Sequence, residues 1–191
     1  PGAQRGHHRD RPADPGAVAV RVGVLASGHG SNLEALLESV HGHEVRIVCV
    51  ASDREEARAL VVAAEAGIPT QSFPKAAYPD RVARDVALAD WLDEHDVELV
   101  VTAGYMAILA PEFIARFPDR IVNVHPSLLP AFPGIRAIEQ ALEAGTPQTG
   151  VTVHLVDEGV DTGSVLLQEA VEIPEGADAA TLRVLLQEIE H

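Results

Sequence analysis

The chain has 191 residues, 47% of them hydrophobic but only 4% aromatic, which suits one domain with an aliphatic core and excludes a disordered chain. Its formal net charge is −15 and Lys75 is its single lysine, which excludes broad nucleic-acid binding through clustered cations. No run approaches the ~20 apolar residues of a membrane span, and no apolar signal-peptide core opens the sequence. Residues 1–18 are rich in Pro, Gly, Arg and His and lack periodicity. They are expected to be a disordered extension or an expression remnant, with His7 and His8 part of that tail rather than metal ligands. Val20–Ala26 is a β-branched run. Asn32–Val40 has helical spacing, with Leu33, Leu36, Leu37 and Val40 on one face. Val45–Ala51 reads as a second strand. It carries Cys49, a core thiol that has no intrachain partner, and this favours a reducing compartment, here the cytoplasm.

Further along, Glu55–Ala66 is expected to be helical and to stop at Gly67-Ile68-Pro69. Thr70–Phe73 reads as extended, Arg81–His95 as a long helix with Trp91, and Val97–Ala103 as a buried strand. A short helix begun by Pro111, the strand Ile121–His125 and a helix over Ile135–Glu143 follow. Gly150–Val156 and Val165–Ile173 read as strands and Ala179–Glu190 as a closing helix. Strands alternating with helices predict an α/β fold: a Rossmann-like, doubly wound, mostly parallel sheet with helices on both faces. The last two strands have no full helix between them, so the far edge is expected to be mixed or antiparallel. Ligands in such sheets sit beyond the carboxyl ends of the strands.

Three segments lie just after strands. Ser27-Gly28-His29-Gly30-Ser31-Asn32 supplies a tight turn and a helix N-terminus whose free N–H groups suit a phosphate. It also reads as a plain strand–helix turn, or as part of a dinucleotide fingerprint with Asp53. Leu33, however, occupies the place of the third glycine. In Ile121–Pro126, Asn123 and His125 are two apart and share a strand face, an amide beside an imidazole that suits either an oxyanion or support of the proline-rich loop. The stretch after Val151 runs into an acidic loop, Asp157-Glu158-Gly159-Val160-Asp161, that lacks EF-hand spacing. Asp161 either reaches His125 and favours its imidazolium form or is a solvated loop carboxylate. His154, within the strand, reads as a core or edge residue rather than a ligand.

Taken together, Ser-Gly-x-Gly-Ser-Asn at 27–32, Ala-Gly-Tyr-Met at 103–106, His-Pro-Ser-Leu-Leu-Pro at 125–130 and Asp-Glu-Gly-Val-Asp-Thr-Gly at 157–163 resemble the phosphoribosylglycinamide formyltransferase family. The resemblance covers Val22 to the end. It implies a purine-pathway transferase that moves the formyl group of 10-formyltetrahydrofolate to glycinamide ribonucleotide, with no metal, nucleic acid or membrane, and it leaves homodimer formation open. Asn123, His125 and Asp161 would be catalytic, with Asn123 and His125 on the formyl oxygen and Asp161 paired to His125. Gly30, Ser31 and Asn32 would bind the substrate phosphate, and Gln187 and Glu190 the ribonucleotide. Met106, Ala107, Ile108 and Leu109 would frame the folate together with Asn123, Val156, Asp157, Glu158, Gly159, Val160 and Asp161. Arg81 would meet its benzoyl-glutamate end. Leu129-Pro130 matches the family's cis-proline site. Ala107 stands where the family commonly has Arg, and the family continues past His191. Residues 19–191 would then be one formyltransferase domain lacking the family's extreme C-terminus.

Overall fold

The periodicity of the chain builds an alternating strand–helix path. The structure is a computed structural model, and it describes residues 19–43 and 45–191, so the reading of residues 1–18 lies outside the described residues. Strands β1 (Val20–Leu25), β2 (Val45–Ser52) and β3 (Thr70–Ser72) are joined by helices α1 (Ser31–Ser39) and α2 (Arg58–Glu65). Helix α3 (Arg81–Glu94), β4 (Leu99–Thr102), α4 (Pro111–Arg116) and β5 (Ile121–His125) follow. Then come α5 (Ala137–Glu143), β6 (Gln148–Leu155), β7 (Val165–Glu172) and α6 (Ala179–Glu190). The seven strands form one sheet in the order β3-β2-β1-β4-β5-β6-β7. The pairs from β3 through β5 are parallel, whereas β6 runs antiparallel to β5 and β7 antiparallel to β6. The doubly wound, mostly parallel α/β fold with a mixed edge is thus the observed architecture. The chain order reverses between β1 and β4, which places the ligand crevice at their carboxyl ends.

Side chains alternate across the sheet, and the two faces bury separate aliphatic layers. Val22 and Val24 of β1 pack with Leu33 of α1 and Ala59, Val62 and Ala63 of α2. Leu25 faces the other way and meets Leu88 and Leu92 of α3, Phe113 of α4 and Ile121 of β5. A third cluster joins Leu182 and Leu186 of α6 to Ile138 of α5 and Val151 of β6. Among the described residues, no helix is long and apolar enough to cross a membrane.

Some boundaries differ from the periodicity, each for a local reason. Helix α2 begins at Arg58 rather than Glu55, because Ala57 is extended and the Ala59 N–H is drawn to the Gly28 carbonyl at 3.2 Å. Helix α5 begins at Ala137 rather than Ile135. Gly134 has a left-handed φ of 87° and its N–H is bonded to Asp161, so the chain cannot yet coil. Strand β4 starts at Leu99, two residues late, because Asp96 turns through φ 52° and the Val97 N–H closes back onto Leu92 O. The Leu129-Pro130 bond is cis.

Candidate active site

The register of three strands assembles the polar cluster. On β5, Ile121 is buried in the core, so Asn123 and His125 continue along the same face to the strand's carboxyl end. Parallel pairing sets Thr102 of β4 beside Asn123, and the Thr102 hydroxyl donates to Asn123 Oδ1 at 2.6 Å. That bond turns the amide NH2 away from β4. Antiparallel pairing sets His154 of β6 opposite Asn123, and Asn123 Nδ2 lies 3.1 Å from His154 Nε2. His154 is a buried strand residue, as its sequence suggests, but its ring also belongs to the site.

Asp161 closes the cluster from the acidic loop. Asp157 folds that loop by accepting from the Gly159 N–H at 3.0 Å and the Thr162 hydroxyl at 2.7 Å. Asp161 Oδ2 then lies 3.3 Å from His125 Nδ1 and accepts the Gly134 N–H at 2.7 Å. Its other oxygen lies 3.5 Å from His154 Nε2. The opposite nitrogen of His125, Nε2, is 2.9 Å from the Phe132 carbonyl. Both ring nitrogens of His125 therefore face acceptor oxygens. Phe132 and Asp161, which flank His125, both take left-handed backbone, φ 54° and 55°. Such conformations cost on the order of 1–3 kcal/mol each and are kept where the surroundings impose them.

The charges in the cluster support one another. Burial works against the ionised form of Asp161, but the His154 ring, the Gly134 N–H and the nearby His125 outweigh it and hold the carboxyl below the usual range. Burial likewise disfavours a charged His154. The hydrogen bond His154 donates to Asp161, the Leu155 carbonyl and the charges of Asp161 and Asp157 overcome it and raise its pKa above the ordinary value. A group with a depressed folded pKa contributes stability above its unfolded pKa and loses it as pH falls. A group with a raised folded pKa contributes fully below its unfolded pKa and loses it as pH rises. The pair is therefore fully stabilising between about pH 4 and 6.5, the ordinary Asp and His values. His154→Gln is expected to destabilise the fold most in that window and progressively less above it. Urea denaturation of both proteins across pH 5 to 9 checks this, and a pH-independent difference would contradict it.

A second cluster forms where α1 meets α6. Gly30 precedes α1 with φ 84°, and a Cβ there would lie 2.9 Å from Ala59 Cα, so both backbone and space require glycine. Gln187 Nε2 donates to Ser31 Oγ at 2.6 Å, and Asn32 Nδ2 donates to Glu190 Oε2 at 2.9 Å. Asn32 Oδ1 is buried without a hydrogen-bond partner among the described residues.

A cleft of about 260 Å³ opens over the first cluster. Asn123 and His125 line it. Met106, Ala107, Ile108 and Leu109 form one wall, and Val156, Asp157, Glu158, Gly159, Val160 and Asp161 the other. The first wall is anchored at both ends. The Met106 N–H donates to Ser27 Oγ at 2.7 Å, and the Ala110 N–H donates to Asp85 Oδ2 at 2.6 Å. Ser27 in turn donates to Asp53, so the Asp53 carboxylate helps hold the turn. Arg81 is exposed at the start of α3 and is not among the residues that line the cleft.

Residues 20–191 match the formyl transferase family model. Phosphoribosylglycinamide formyltransferase of Mycobacterium tuberculosis is 47% identical over 169 residues, which cover 88% of this chain and 78% of that protein. The Bacillus subtilis enzyme of the same name is 39% identical over 173 residues, 88% of this chain and 87% of its own. The crystal structure of glycinamide ribonucleotide transformylase 1 from Symbiobacterium toebii superposes with a TM-score of 0.88 at 45% identity, covering 90% of this chain and 82% of that one. The chain belongs to the phosphoribosylglycinamide formyltransferase family.

Membership in this formyltransferase family accounts for the convergence of the motif residues on one crevice. It does not by itself expose Thr102, His154 or the Phe132 carbonyl, which sequence reasoning missed as parts of the site. For His154 the available signal was its even spacing from Thr152 on the strand that follows α5. Arg183 of α6 also lines the cleft and was missed. The signal there was its position four residues before Gln187.

Proposed function

We propose that the chain transfers the formyl group of 10-formyltetrahydrofolate to the amine of glycinamide ribonucleotide. The observation that carries this reading is the convergence of Asn123, His125 and Asp161 at the cleft of a formyltransferase-family chain. The neutral amine attacks the formyl carbon, and the C=O electron pair moves onto oxygen. The Asn123 amide and the N–H of His125 donate to that oxyanion. A 3.3 Å separation from Asp161 leaves the Nδ1–H of His125 able to be shared with a ligand oxygen. One such donor is typically worth about 3–4 kcal/mol of barrier. As the oxyanion collapses, the bond from carbon to the folate nitrogen breaks. Asp161 supports the positive charge on His125 and, through water, relays the proton lost by the amine to the departing nitrogen. Holding both substrates in line supplies much of the remaining acceleration.

The same reading places the substrate phosphate at Gly30, Ser31 and Asn32, with Gln187 and Glu190 on the ribonucleotide. The folate lies between the Met106–Leu109 wall and the acidic loop, and Arg81 reaches its glutamate end from outside the cleft. A spectrophotometric assay for tetrahydrofolate, with and without glycinamide ribonucleotide, tests the proposal. Product is expected only with the acceptor present. Equal release without acceptor would make the chain a hydrolase of the same cofactor.

A further inference from the structure

The cleft is lined by the carboxylates of Glu139, Asp157, Glu158 and Asp161, and among its lining residues Arg183 is the single arginine or lysine. A chain of net charge −15 presents a repulsive field to anionic substrates, so one positive side chain at the mouth carries more weight than it would on a neutral protein. Arg183 belongs to a definite helix face. Residues 183, 187 and 190 are spaced i, i+4, i+7 and share one side of α6. Gln187 and Glu190 already touch Ser31 and Asn32 at the start of α1. Arg183 lies one turn, about 6 Å, along the axis from Gln187, and on the cleft side. The face thus runs from the glycine loop into the cleft.

Arg183 is also loosely held. Among the described residues its one ion pair is with Glu139 at 3.3 Å, with the guanidinium side chain 62% exposed. An exposed pair of this kind contributes little and exchanges readily for a better-charged partner. A guanidinium fork suits phosphate or carboxylate oxygens, which it can meet with two parallel hydrogen bonds.

We propose that Arg183 is a specificity-determining residue for the acceptor: it leaves Glu139 and bonds the anionic phosphoribosyl part of the acceptor lying along the α6 face. This rests on the transfer reaction proposed above. The alternative anion is the carboxylate of the folate donor. The shared face with Gln187 and Glu190 assigns Arg183 to the acceptor.

Steady-state kinetics on the whole chain test the assignment. Arg183→Ala is expected to raise the acceptor KM about tenfold, with kcat and the donor KM within about twofold, as loss of one charge-assisted contact predicts. Arg183→Lys keeps the charge without the fork and is expected to fall between. Glu139→Gln frees the guanidinium and is expected to lower the acceptor KM. Raised ionic strength should weaken acceptor binding to the parent more than to Arg183→Ala. An unmoved acceptor KM in Arg183→Ala, or a shift confined to the donor KM, overturns the proposal. Turnover by the parent chain is the control. Its absence would sink the reaction itself, whereas parent turnover with an unmoved KM in the variant sinks only the part given to Arg183.

Discussion

Asp161→Asn is expected to lower kcat by roughly 10²–10⁴-fold, the range of a positioned acid–base group, while acceptor binding stays within about twofold. The carboxylate accepts on both oxygens, from His125 and Gly134 on one side and toward His154 on the other. An amide of the same shape has one oxygen and one NH2. If its oxygen keeps Gly134 and His125, its NH2 confronts His154 Nε2. If the amide turns over, the N–H of Gly134 loses its acceptor. Either way the negative charge 3.3 Å from His125 Nδ1 is gone. The loop at Gly30–Asn32, proposed above to hold the acceptor phosphate, is built from other elements and keeps its bonds to α6. Rapid-quench or steady-state turnover, paired with calorimetric titration of glycinamide ribonucleotide, separates the two effects. A kcat within tenfold of the parent would remove Asp161 from the chemistry. Thermal unfolding of the variant guards against a simple loss of fold.

The sheet was legible because each β-branched run and each amphipathic stretch carries its own period, whatever packs on it. The Asn123 and His125 pair was legible for the same reason, since two-residue spacing on a strand fixes a common face. Asp161 was not. Its approach to His125 depends on the fold of a loop, and that fold depends on Asp157 accepting two bonds inside it. Only the resemblance to known enzymes decided between that approach and a solvated loop carboxylate. His154 was hidden by register: its polar role exists because β6 runs antiparallel to β5, with His154 opposite Asn123 rather than one residue away. A one-residue slip would send the ring to the other face. Arg84 and Asp85 were hidden differently, because adjacent charges on a helix ordinarily mark its wet side.

Asp85→Ala is expected to cost about 3–5 kcal/mol, a large share of the ~5–15 kcal/mol that holds a typical domain folded. Asp85 is fully buried and Arg84 is 5% exposed. Asp85 Oδ1 accepts from Arg84 Nε at 2.7 Å and pairs with Nη2 at 2.6 Å, while Oδ2 accepts the Ala110 N–H. Removing the carboxylate leaves a guanidinium dehydrated with only the Ile108 carbonyl, 3.4 Å away, and orphans a backbone donor as well. The charge, rather than lost packing, should dominate. The double variant Arg84→Met/Asp85→Leu is therefore expected to be more stable than Asp85→Ala alone, short of the parent by about one unmade hydrogen bond, ~1–3 kcal/mol for the Ala110 N–H. Urea midpoints of the three proteins order these terms. A loss below about 1 kcal/mol in Asp85→Ala would mean that water replaces the carboxylate. Ile108 and Ala110 bracket Leu109 on the cleft wall, so any variant that frees the Ala110 N–H should also raise the KM for the folate donor. The double variant separates the two roles: it regains stability without regaining the anchor, so its donor KM should stay high.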